Sequence, residues 1–399
     1  MSNEHIGRRQ AIGIGRETVA SGTAVAATAW LPKVSGSFKP MFEKAKDDSA
    51  YGVIDEVYDS QTVKYMTEVE LEGIVRDSWI GSLLYGAMGN WTAVKCITIT
   101  GATGGTPARG DSITSATGSY VGKIKKKITI GAVDYFFVST TSGVLTDGAT
   151  NLTNGTWSGG TIGLKTAVKG HFFERLNSNT HPSFTIYGSD PVGDDRAAYC
   201  MVDSFEVEFK VGDYAKFNAK FKGKKLASTS AQNPVYTADN PFLAKHASVK
   251  FAADEASLNA ATASTVQRFK LTINKNLVDV QAFGDTDIAS IHNQQFSIAG
   301  DLEAIYNATT FRDYVANSNK KACRIAAVNN EVTAILSDSA NSIYPSLYID
   351  MARISFEEWS RSNENNGLVN QTMGFSGEFD VSTAMTLEIL LINTNATGY

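Results

Sequence analysis

The stretch VKYMTEVELEGIVRDSWIGSLLYGAMG, residues 63–89, contains the pattern that decides the fold. Its first half alternates between two sets of side chains. One set is mostly apolar and consists of Val63, Tyr65, Thr67, Val69 and Leu71. The other set is polar apart from one methionine and consists of Lys64, Met66, Glu68, Glu70 and Glu72. A period of two predicts a strand with one buried face and one wet, mainly acidic face.

A short helix is predicted directly after this strand. Ser78 is the predicted N-cap, and Gly89 is the predicted C-terminal stop. Between them, apolar residues recur at helical spacing, at Ile80, Leu83, Leu84 and Ala87. A second helix is predicted with Thr309 or Thr310 as its N-cap. Its apolar residues are Phe311, Tyr314 and Val315.

Composition favours a mainly β protein of more than one domain. The chain has 399 residues, of which 43% are hydrophobic and 19% charged, with 34 glycines and 8 prolines. A chain of this length can bury two or three cores. Short alternating runs bounded by turn residues occur throughout, which is typical of β structure.

Charge and cysteine content exclude several classes of protein. The net charge of −5 argues against general nucleic-acid binding, because duplex affinity comes from Lys and Arg neutralising phosphates. Cys96, Cys200 and Cys323 are far apart and form no CxxC pair, so a reducing compartment is expected. No apolar run approaches the length of a membrane-spanning helix, and no membrane association is expected.

The sequence contains no recognisable catalytic or metal-binding motif. The five histidines show no metal-ligand spacing, and there is no phosphate-binding loop and no GxSxG nucleophile motif. We therefore predict a protein that is not an enzyme, with no catalytic residues, no metal and no cofactor.

A segment of different character interrupts the first half of the chain. Residues 91–168 are rich in Gly, Thr and Ser, with short strands that predict a small inserted β-barrel or sandwich. Its lysines at 123, 125, 126 and 127 are interpreted as the solvated face of one strand.

Residues 202–223 predict a hairpin. Its alternating phenylalanines favour a three-residue loop that pairs Phe209 with Phe217 and Phe205 with Phe221 on the buried face. Two glutamates, Glu206 and Glu208, fall on its wet face.

An internal repeat relates the two halves of the chain. VELEGIVRDSW aligns with FSIAGDLEAIY, which places Gly73 on Gly300. YCMVDSFEVEFK aligns with YIDMARISFEEW, and KFKG aligns with GFSG, which places Phe221 on Phe375. The offsets change from 300 − 73 = 227 to 348 − 199 = 149, so the first half holds 78 extra residues, about the length of the Gly/Thr-rich segment.

These observations predict a mainly β fold of two duplicated β-sandwich or barrel units, each with a flanking short helix, and a small inserted all-β domain. The predicted parts are an N-terminal arm (1–33), a discontinuous first unit (34–90 and 169–226), the insert (91–168), a linker (227–241) and the second unit (242–399).

The N-terminal run from Arg8 to Pro40, continuing to residue 89, resembles the major tail proteins, or tail tube proteins, of long-tailed, non-contractile bacteriophages. The resemblance rests on the glycine-rich arm from Gly13 to Ala24, the Trp30-Leu31-Pro32 turn, the strand around Glu72–Val75 and the short helix. FSIAGDLEAIY and LVNQTMGFSGEFD extend it into the C-terminal half.

The resemblance implies a structural virion protein whose rings stack into a hollow tail tube, the conduit for genome delivery. A duplicated chain would form trimeric, pseudo-hexameric rings. The implied partners are the chain itself, a tape measure protein, and tail terminator and distal tail proteins. Double-stranded DNA would pass without specific binding, and assembly would occur in the host cytoplasm.

The same resemblance suggests roles for particular residues. The candidate lumen-facing residues are Glu68, Glu70, Glu72, Glu206 and Glu208, whose charge would repel phosphates. The candidate inter-ring contact is the arm, at Gly13, Gly15, Glu17, Trp30, Leu31 and Pro32.

Two other classes stay open at this point. Arg8-Arg9 could begin a twin-arginine export signal, although Arg16 and Glu17 interrupt the apolar segment that such a signal needs. An exported surface or adhesion protein with a glycan-binding β domain is therefore the alternative function. An enzyme whose active site is assembled across the fold is the third hypothesis.

Overall fold

The computed structural model describes residues 6–115, 119–149, 157–337, 341–362 and 367–399. Almost all of its regular structure is antiparallel β-sheet, which confirms the mainly β prediction. The described residues include two α-helices, α1 (Ile80–Met88) and α2 (Thr310–Ala316). Neither has the length or apolar character needed to span a bilayer.

Among the described residues, thirteen strands lie before residue 230: β1 (Ala11–Arg16), β2 (Ala29–Leu31), β3 (Lys33–Asp47), β4 (Asp59–Ile74), β5 (Gly89–Thr103), β6 (Ser112–Ser115), β7 (Tyr120–Ile130), β8 (Val133–Ser142), β9 (Ser158–Arg175), β10 (Phe184–Ser189), β11 (Asp194–Lys210), β12 (Lys216–Gly223) and β13 (Ala227–Thr229). The described part of the chain after residue 229 contains twelve more: β14 (Ala247–Ala252), β15 (Ala263–Ser264), β16 (Val266–Asn274), β17 (Val278–Gln281), β18 (Ile288–His292), β19 (Ser297–Ile305), β20 (Lys321–Val328), β21 (Leu336–Ser337), β22 (Ser342–Ile343), β23 (Ser346–Arg361), β24 (Asn370–Gly377) and β25 (Leu387–Asn393).

An eight-stranded antiparallel sheet forms the centre of the molecule, in the order β3-β4-β12-β11-β16-β19-β24-β23. One face of this central sheet carries the alternating apolar residues, including Val69, Phe217, Val207 and Leu271, and belongs to the main core. The other face is polar. On β4 the predicted alternation of one buried and one wet face holds from Thr67 to Gly73, whereas Val63 of the predicted buried set is exposed.

A second layer covers the apolar face. On the first half it consists of β2-β1-β10 and the N-terminal part of β11, with β13 on the other side of β11. On the second half it consists of β15-β14-β20 and the N-terminal part of β23, with β25 on the other side of β23. The long strands β11 and β23 thus bend from one layer into the other.

The two halves share the same set of strand pairings. The pairings β1–β2, β1–β10, β10–β11, β3–β4, β4–β12, β11–β12 and β11–β13 of the first half have counterparts β14–β15, β14–β20, β20–β23, β16–β19, β19–β24, β23–β24 and β23–β25 in the second. Each half also places its helix directly after the fourth of these strands in chain order, α1 after β4 and α2 after β19. The pairings support the predicted duplication, which stays a proposal.

A glycine packed under a phenylalanine marks the same point in both halves. A Cβ at Gly73 would lie 2.4 Å from the Phe217 ring, and one at Gly300 would lie 2.3 Å from the Phe375 ring. Phe217 is opposite Gly73, and Phe375 is opposite Gly300. The counterpart of Phe375 is therefore Phe217, and the alignment of Phe221 with Phe375 is wrong.

The predicted hairpin register is wrong by two residues. Val207, and not Phe209, lies opposite Phe217, and Phe205 lies opposite Ala219. The loop is longer because Tyr214 and Ala215 pair with the segment around Phe242 and do not continue the hairpin. The buried face is unchanged, since a shift of two keeps each side chain on its side.

Helix α1 ends as predicted but does not begin with the predicted cap. Gly89 has the left-handed backbone (φ 86°) of a helix stop, and its N–H donates to the Tyr85 carbonyl. Trp79 occupies the N-cap position without a side-chain cap, and the Ser78 carbonyl instead accepts the Tyr399 hydroxyl. In α2, Thr309 occupies the N-cap position, one of the two predicted alternatives.

The Gly/Thr-rich segment is continuous with the body of the protein. Strands β5 and β9 cross the predicted boundaries at 91 and 168 as one long antiparallel pair, and β9 also pairs with β25 of the second half. The domain division therefore stays a prediction. Of the four lysines in this segment, Lys126 is fully buried, so its assignment to the solvated face is wrong. It lies between Ile124 and Ile128 on the inner face of β7.

Candidate assembly surfaces

The five candidate lumen glutamates all lie on the polar face of the central sheet. Glu68, Glu70 and Glu72 alternate with buried residues on β4, and Glu206 and Glu208 do so on β11. Strand β12 lies between these two strands. The structure therefore gathers the predicted residues on one surface, although it does not test whether that surface lines a bore.

Basic residues on neighbouring strands pair with these glutamates. Lys39 approaches Glu68 at 3.8 Å, Lys220 approaches Glu70 at 3.5 Å, and Lys270 approaches Glu206 at 2.8 Å. Arg268 pairs with Glu208 and also with Asp301.

Asn218 completes this polar network. Its amide donates to Glu70 at 2.9 Å and to Glu72 at 3.2 Å. This hydrogen bond, more than the nearby Lys220, lowers the pKa of Glu70. The surface therefore carries mixed charge with many internal ion pairs, and it is less acidic than the glutamates alone indicate.

The two outer strands of the central sheet each have a free edge. Among the described residues, β3 pairs only with β4, and residues 355–361 of β23 pair only with β24. In contrast, the matching part of β11 pairs with β12 on one side and with β16 on the other. Free backbone groups along an edge strand are a template for adding another strand.

The candidate arm packs against its own subunit. Gly13 and Gly15 lie in β1, which pairs with β10, and Leu31 is 2% exposed in β2. Trp30 and Pro32 are half-buried beside them. A contact between these residues and an adjacent ring is not tested by this packing and stays a prediction.

Glu17 anchors the arm through a buried carboxylate. It accepts hydrogen bonds from the hydroxyls of Ser183 (2.6 Å) and Thr185 (2.9 Å) and from the backbone N–H groups of Tyr199 (2.8 Å) and Gly22 (2.7 Å). A buried carboxylate needs such donors because its desolvation is costly. The charge that interrupts the apolar N-terminal segment thus has a structural role.

A buried ionic cluster joins the Gly/Thr-rich segment to the second half. The Lys126 ammonium lies 2.5 Å from an Asp350 oxygen and 3.5 Å from a Glu388 oxygen, and all three side chains are at most 1% exposed. Arg324 forms two hydrogen bonds with Asp350, at 2.8 and 2.7 Å. Arg109 reaches Glu388 at 2.7 Å.

The same cluster contains three carboxylates close enough to bind a cation. Oxygens of Glu255, Asp350 and Glu388 lie within 4.8 Å of one another. Burial raises the pKa of Glu255, whereas the nearby Lys126 and Arg324 cations outweigh burial and lower the pKa of Asp350. Lys126 and the two arginines already supply the positive charge, so this group of acids is an internal ion-pair network.

Two titratable residues of β9, His171 and Glu174, bond to different partners and not to each other. His171 is buried and contacts Trp91 and Asn393, while Glu174 bonds to Asn90 and Lys125. Burial lowers the pKa of His171. Another buried cation, Lys275, donates to the Gly86 carbonyl at 2.8 Å near the end of α1, and burial lowers its pKa to about 7.

Comparison with known proteins defines the class to which this architecture belongs. A family profile described as "Phage tail tube protein" matches residues 7–377, nearly the whole chain. No curated protein matches the chain significantly. The chain belongs to the phage tail tube protein family.

Membership confirms the resemblance inferred from the sequence. The protein is a structural component of the virion tail that assembles with itself into a tube. A structural role also agrees with the predicted absence of enzymatic activity.

Proposed function

We propose that three copies of this chain close into a ring by joining their central sheets edge to edge. The observation that carries the proposal is the junction between β11 and β16 inside the chain. There the first half of the sheet already joins the second half through seven antiparallel residue pairs, from Ser204–Asn274 to Lys210–Arg268. The proposal is that the same junction forms between chains.

The internal junction is stabilised on both faces of the sheet. On the buried face, Val207 lies opposite Leu271 and Phe209 opposite Phe269. On the polar face, Lys270 forms an ion pair with Glu206. Cross-strand apolar and opposite-charge pairs of this kind each contribute about 0.2–1 kcal/mol.

The two strands with free edges, β23 and β3, are the counterparts of β11 and β16, which form the internal junction. Strand β23 corresponds to β11 in all its pairings, and β3 corresponds to β16 through its pairing with the next strand. The free edge of β23 in one chain therefore fits the free edge of β3 in the next. Two four-stranded halves per chain give six similar units in a trimer, with pseudo-sixfold symmetry.

Closure of this sheet determines which face lines the bore. The apolar face is covered by the second layer and the helices, so only the polar face can line a narrow central channel. The Gly/Thr-rich segment continues the second layer through β25 and β9, and it therefore projects outwards. These placements support genome delivery through the tube.

Electron microscopy of assembled protein tests the ring. Top views should show three chains per ring, with six similar inner segments and three outward projections. Six chains per ring would contradict the proposal. Separate monomers under every condition that supports assembly would instead favour the alternative of a surface or adhesion protein.

The polar bore surface should let DNA slide because its charges neutralise one another. Replacing Glu68, Glu70 and Glu72 with glutamine leaves Lys39 and Lys220 without their carboxylate partners. Free lysines bind phosphate, so DNA release from virions carrying this variant should slow several-fold at low salt.

The matched control adds Lys39→Gln and Lys220→Gln to the same variant, which should restore the rate. An ejection rate unaffected by the three glutamine substitutions would place these residues outside the bore.

Further partners follow from a role as tube subunit. The tube would enclose a tape measure protein and end at terminator and distal tail proteins, with assembly in the host cytoplasm. Among the six candidate contact residues of the arm, the half-buried Trp30 and Pro32 are the two that remain accessible to an adjacent ring.

A further inference from the structure

Helix α2 is far less covered than its counterpart α1. Eight of the nine residues of α1 are buried. None of the seven described residues of α2 is buried, although Phe311, Tyr314 and Val315 are apolar. A short helix gains most of its stability by packing an apolar face, so a helix left this open indicates a surface that a partner covers.

A groove runs beside the apolar side of α2. Its volume is about 230 Å³, and none of the described side chains that line it is charged. The lining includes Phe251 of β14, Ile305 of β19, Phe311 and Tyr314 of α2, and Gln371 of β24. The centre of the Phe311 ring lies 5.6 Å from that of Phe251 and 6.0 Å from that of Tyr314. The groove therefore suits an uncharged, aliphatic side chain.

The matching groove of the first half lies beside α1, and chain from the second half forms part of its wall. Its own half contributes Ile14, Ala29 and Ser82, from β1, β2 and α1, the counterparts of β14, β15 and α2. Val235 and Asn240, from the segment that leads into the second half, also line it. In contrast, the described lining of the groove beside α2 comes only from the second half itself.

The residue before the first strand of each half indicates which segment would lie there. The chain enters β14 through a short 3-10 turn at Ala244–His246, and a matching turn at Gly7–Arg9 lies just before β1. Leu243, directly before the first of these turns, pairs with Tyr214 of the first half. Ile6 occupies the equivalent position before the other turn and is 68% exposed. In the proposed ring, Ile6 therefore faces the second half of the neighbouring chain as Leu243 faces the first half of its own.

Ile6 also lies close to the edge that would join the two chains. The adjacent Gly7 shares a groove with Ser35 of β3, the strand whose free edge is proposed to pair with β23. On the neighbour, α2 packs on β23, with the centre of the Tyr314 ring 5.4 Å from that of Phe356. The groove beside α2 is therefore next to the proposed junction.

An incoming segment cannot enter the second half as the linker enters the first. In the first half, the Phe242 N–H donates to the Val75 carbonyl, and its carbonyl accepts from Ala215, between the ends of β4 and β12. In the second half, β19 and β24 stay paired as far as Ile305–Asn370. The segment must therefore lie beside these strands, where the groove along α2 is open.

We propose that Ile6 of each chain docks in the groove beside α2 of the neighbouring copy in the same ring. This inference rests on the ring proposed above and adds a side-chain contact to the pairing of β3 with β23. The occupant is another copy of this chain because the proposed junction brings Ile6 to this side of the neighbour. Its aliphatic side chain also matches the uncharged lining of the groove.

Photocrosslinking from position 6 tests the docking in assembled tubes. When Ile6 is replaced by p-benzoylphenylalanine, irradiation should link chains into covalent dimers and trimers, because three such contacts close one ring. Peptide mapping should place the links at residues of the groove, chiefly within 304–314. Links outside the groove, or covalent products longer than three chains, would overturn the docking.

A charged substitution measures the strength of the contact. Ile6→Asp should raise the protein concentration needed for half-maximal assembly about tenfold, because a carboxylate is costly to bury in an uncharged groove. The matched control is Val144→Asp in the Gly/Thr-rich segment, where Val144 is 62% exposed, and it should leave this concentration unchanged. An Ile6→Asp variant that assembles as readily as the control would also contradict the docking.

Failure of the docking is distinguishable from failure of the ring. Trimeric rings that form without links from position 6 to the groove would refute the docking alone. Absence of trimeric rings from the unaltered chain would instead refute the ring proposal.

Discussion

Lys126→Met is expected to lower the free energy of unfolding by about 3–5 kcal/mol, the usual cost of removing one partner from a buried ion pair. Lys126 is fully buried and contacts both Asp350 and Glu388. Methionine fills much of the same space, so most of the loss would come from the missing charge. Two buried carboxylates would then share the remaining arginines.

Thermal and chemical denaturation of the purified variant measure this effect. The matched control is Lys127→Met at the next position. Lys127 is partly exposed and pairs with Asp134 at 2.7 Å, so its loss should change stability by no more than about 1 kcal/mol. Equal stabilities for the two variants would mean that the buried cluster does not hold the molecule together.

The same cluster determines how the Gly/Thr-rich segment relates to the rest of the chain. Lys126 and Arg109 come from that segment, whereas Asp350 and Glu388 come from the second half. A second hydrophobic core, including Phe137 from the segment, also spans both parts. The segment is therefore anchored to the second half by charge and by apolar packing.

Local patterns in the sequence were sufficient to predict the elements around residues 63–89. Strict alternation on β4 and helical spacing on α1 reflect burial that each element achieves with its own residues. Gly89 is a reliable stop because its left-handed backbone is readily adopted by glycine. The prediction of Ser78 as the N-cap is wrong because Trp79 packs against Phe217, and this tertiary contact fixes the start of the helix.

Alternation also contained a signal for Lys126 that the interpretation missed. Lys126 is two residues from Ile124 and two from Ile128, so the period of two places it on the inner face. Its partners Asp350 and Glu388 could not be found from sequence, because they are more than 200 residues away.

The hairpin register and the arm show the same limit. Hydrophobic pattern fixes which face of β11 and β12 is buried, but a shift of two residues preserves that pattern. The actual register depends on the pairing of Tyr214 and Ala215 with a distant segment. Likewise, the sequence shows Glu17 only as a charge that interrupts an apolar run. Its hydrogen-bond donors Ser183 and Thr185 are distant in sequence and approach it only in the folded chain.

The second large effect is the formation of a disulfide between chains, engineered at two serine positions of the proposed junction. Inside the chain, Glu206 lies opposite Thr272. The counterpart of Glu206 is Ser355. The residue after Glu206 lies opposite Phe217, which covers Gly73, and the residue after Ser355 lies opposite Phe375, which covers Gly300. The counterpart of Thr272 is Ser35.

The pairing of Ser35 follows from its neighbour on the next strand. Ser35 lies opposite Glu72, the residue before Gly73. Thr272 lies opposite Ala299, the residue before Gly300. Ser35 of one chain should therefore lie opposite Ser355 of the next. Within one chain the two serines are on the outermost strands of eight, roughly 34 Å apart, so they cannot form a disulfide with each other.

Cysteines at positions 35 and 355 test the junction most directly. The native cysteines Cys96, Cys200 and Cys323 are buried and should not interfere. Oxidation of assembled Ser35→Cys/Ser355→Cys protein should link chains into covalent dimers and trimers on a non-reducing gel, ending at three. The out-of-register control Ser37→Cys/Ser355→Cys should link few. Equal linking in both variants, or none in either from assembled tubes, would contradict the proposed ring.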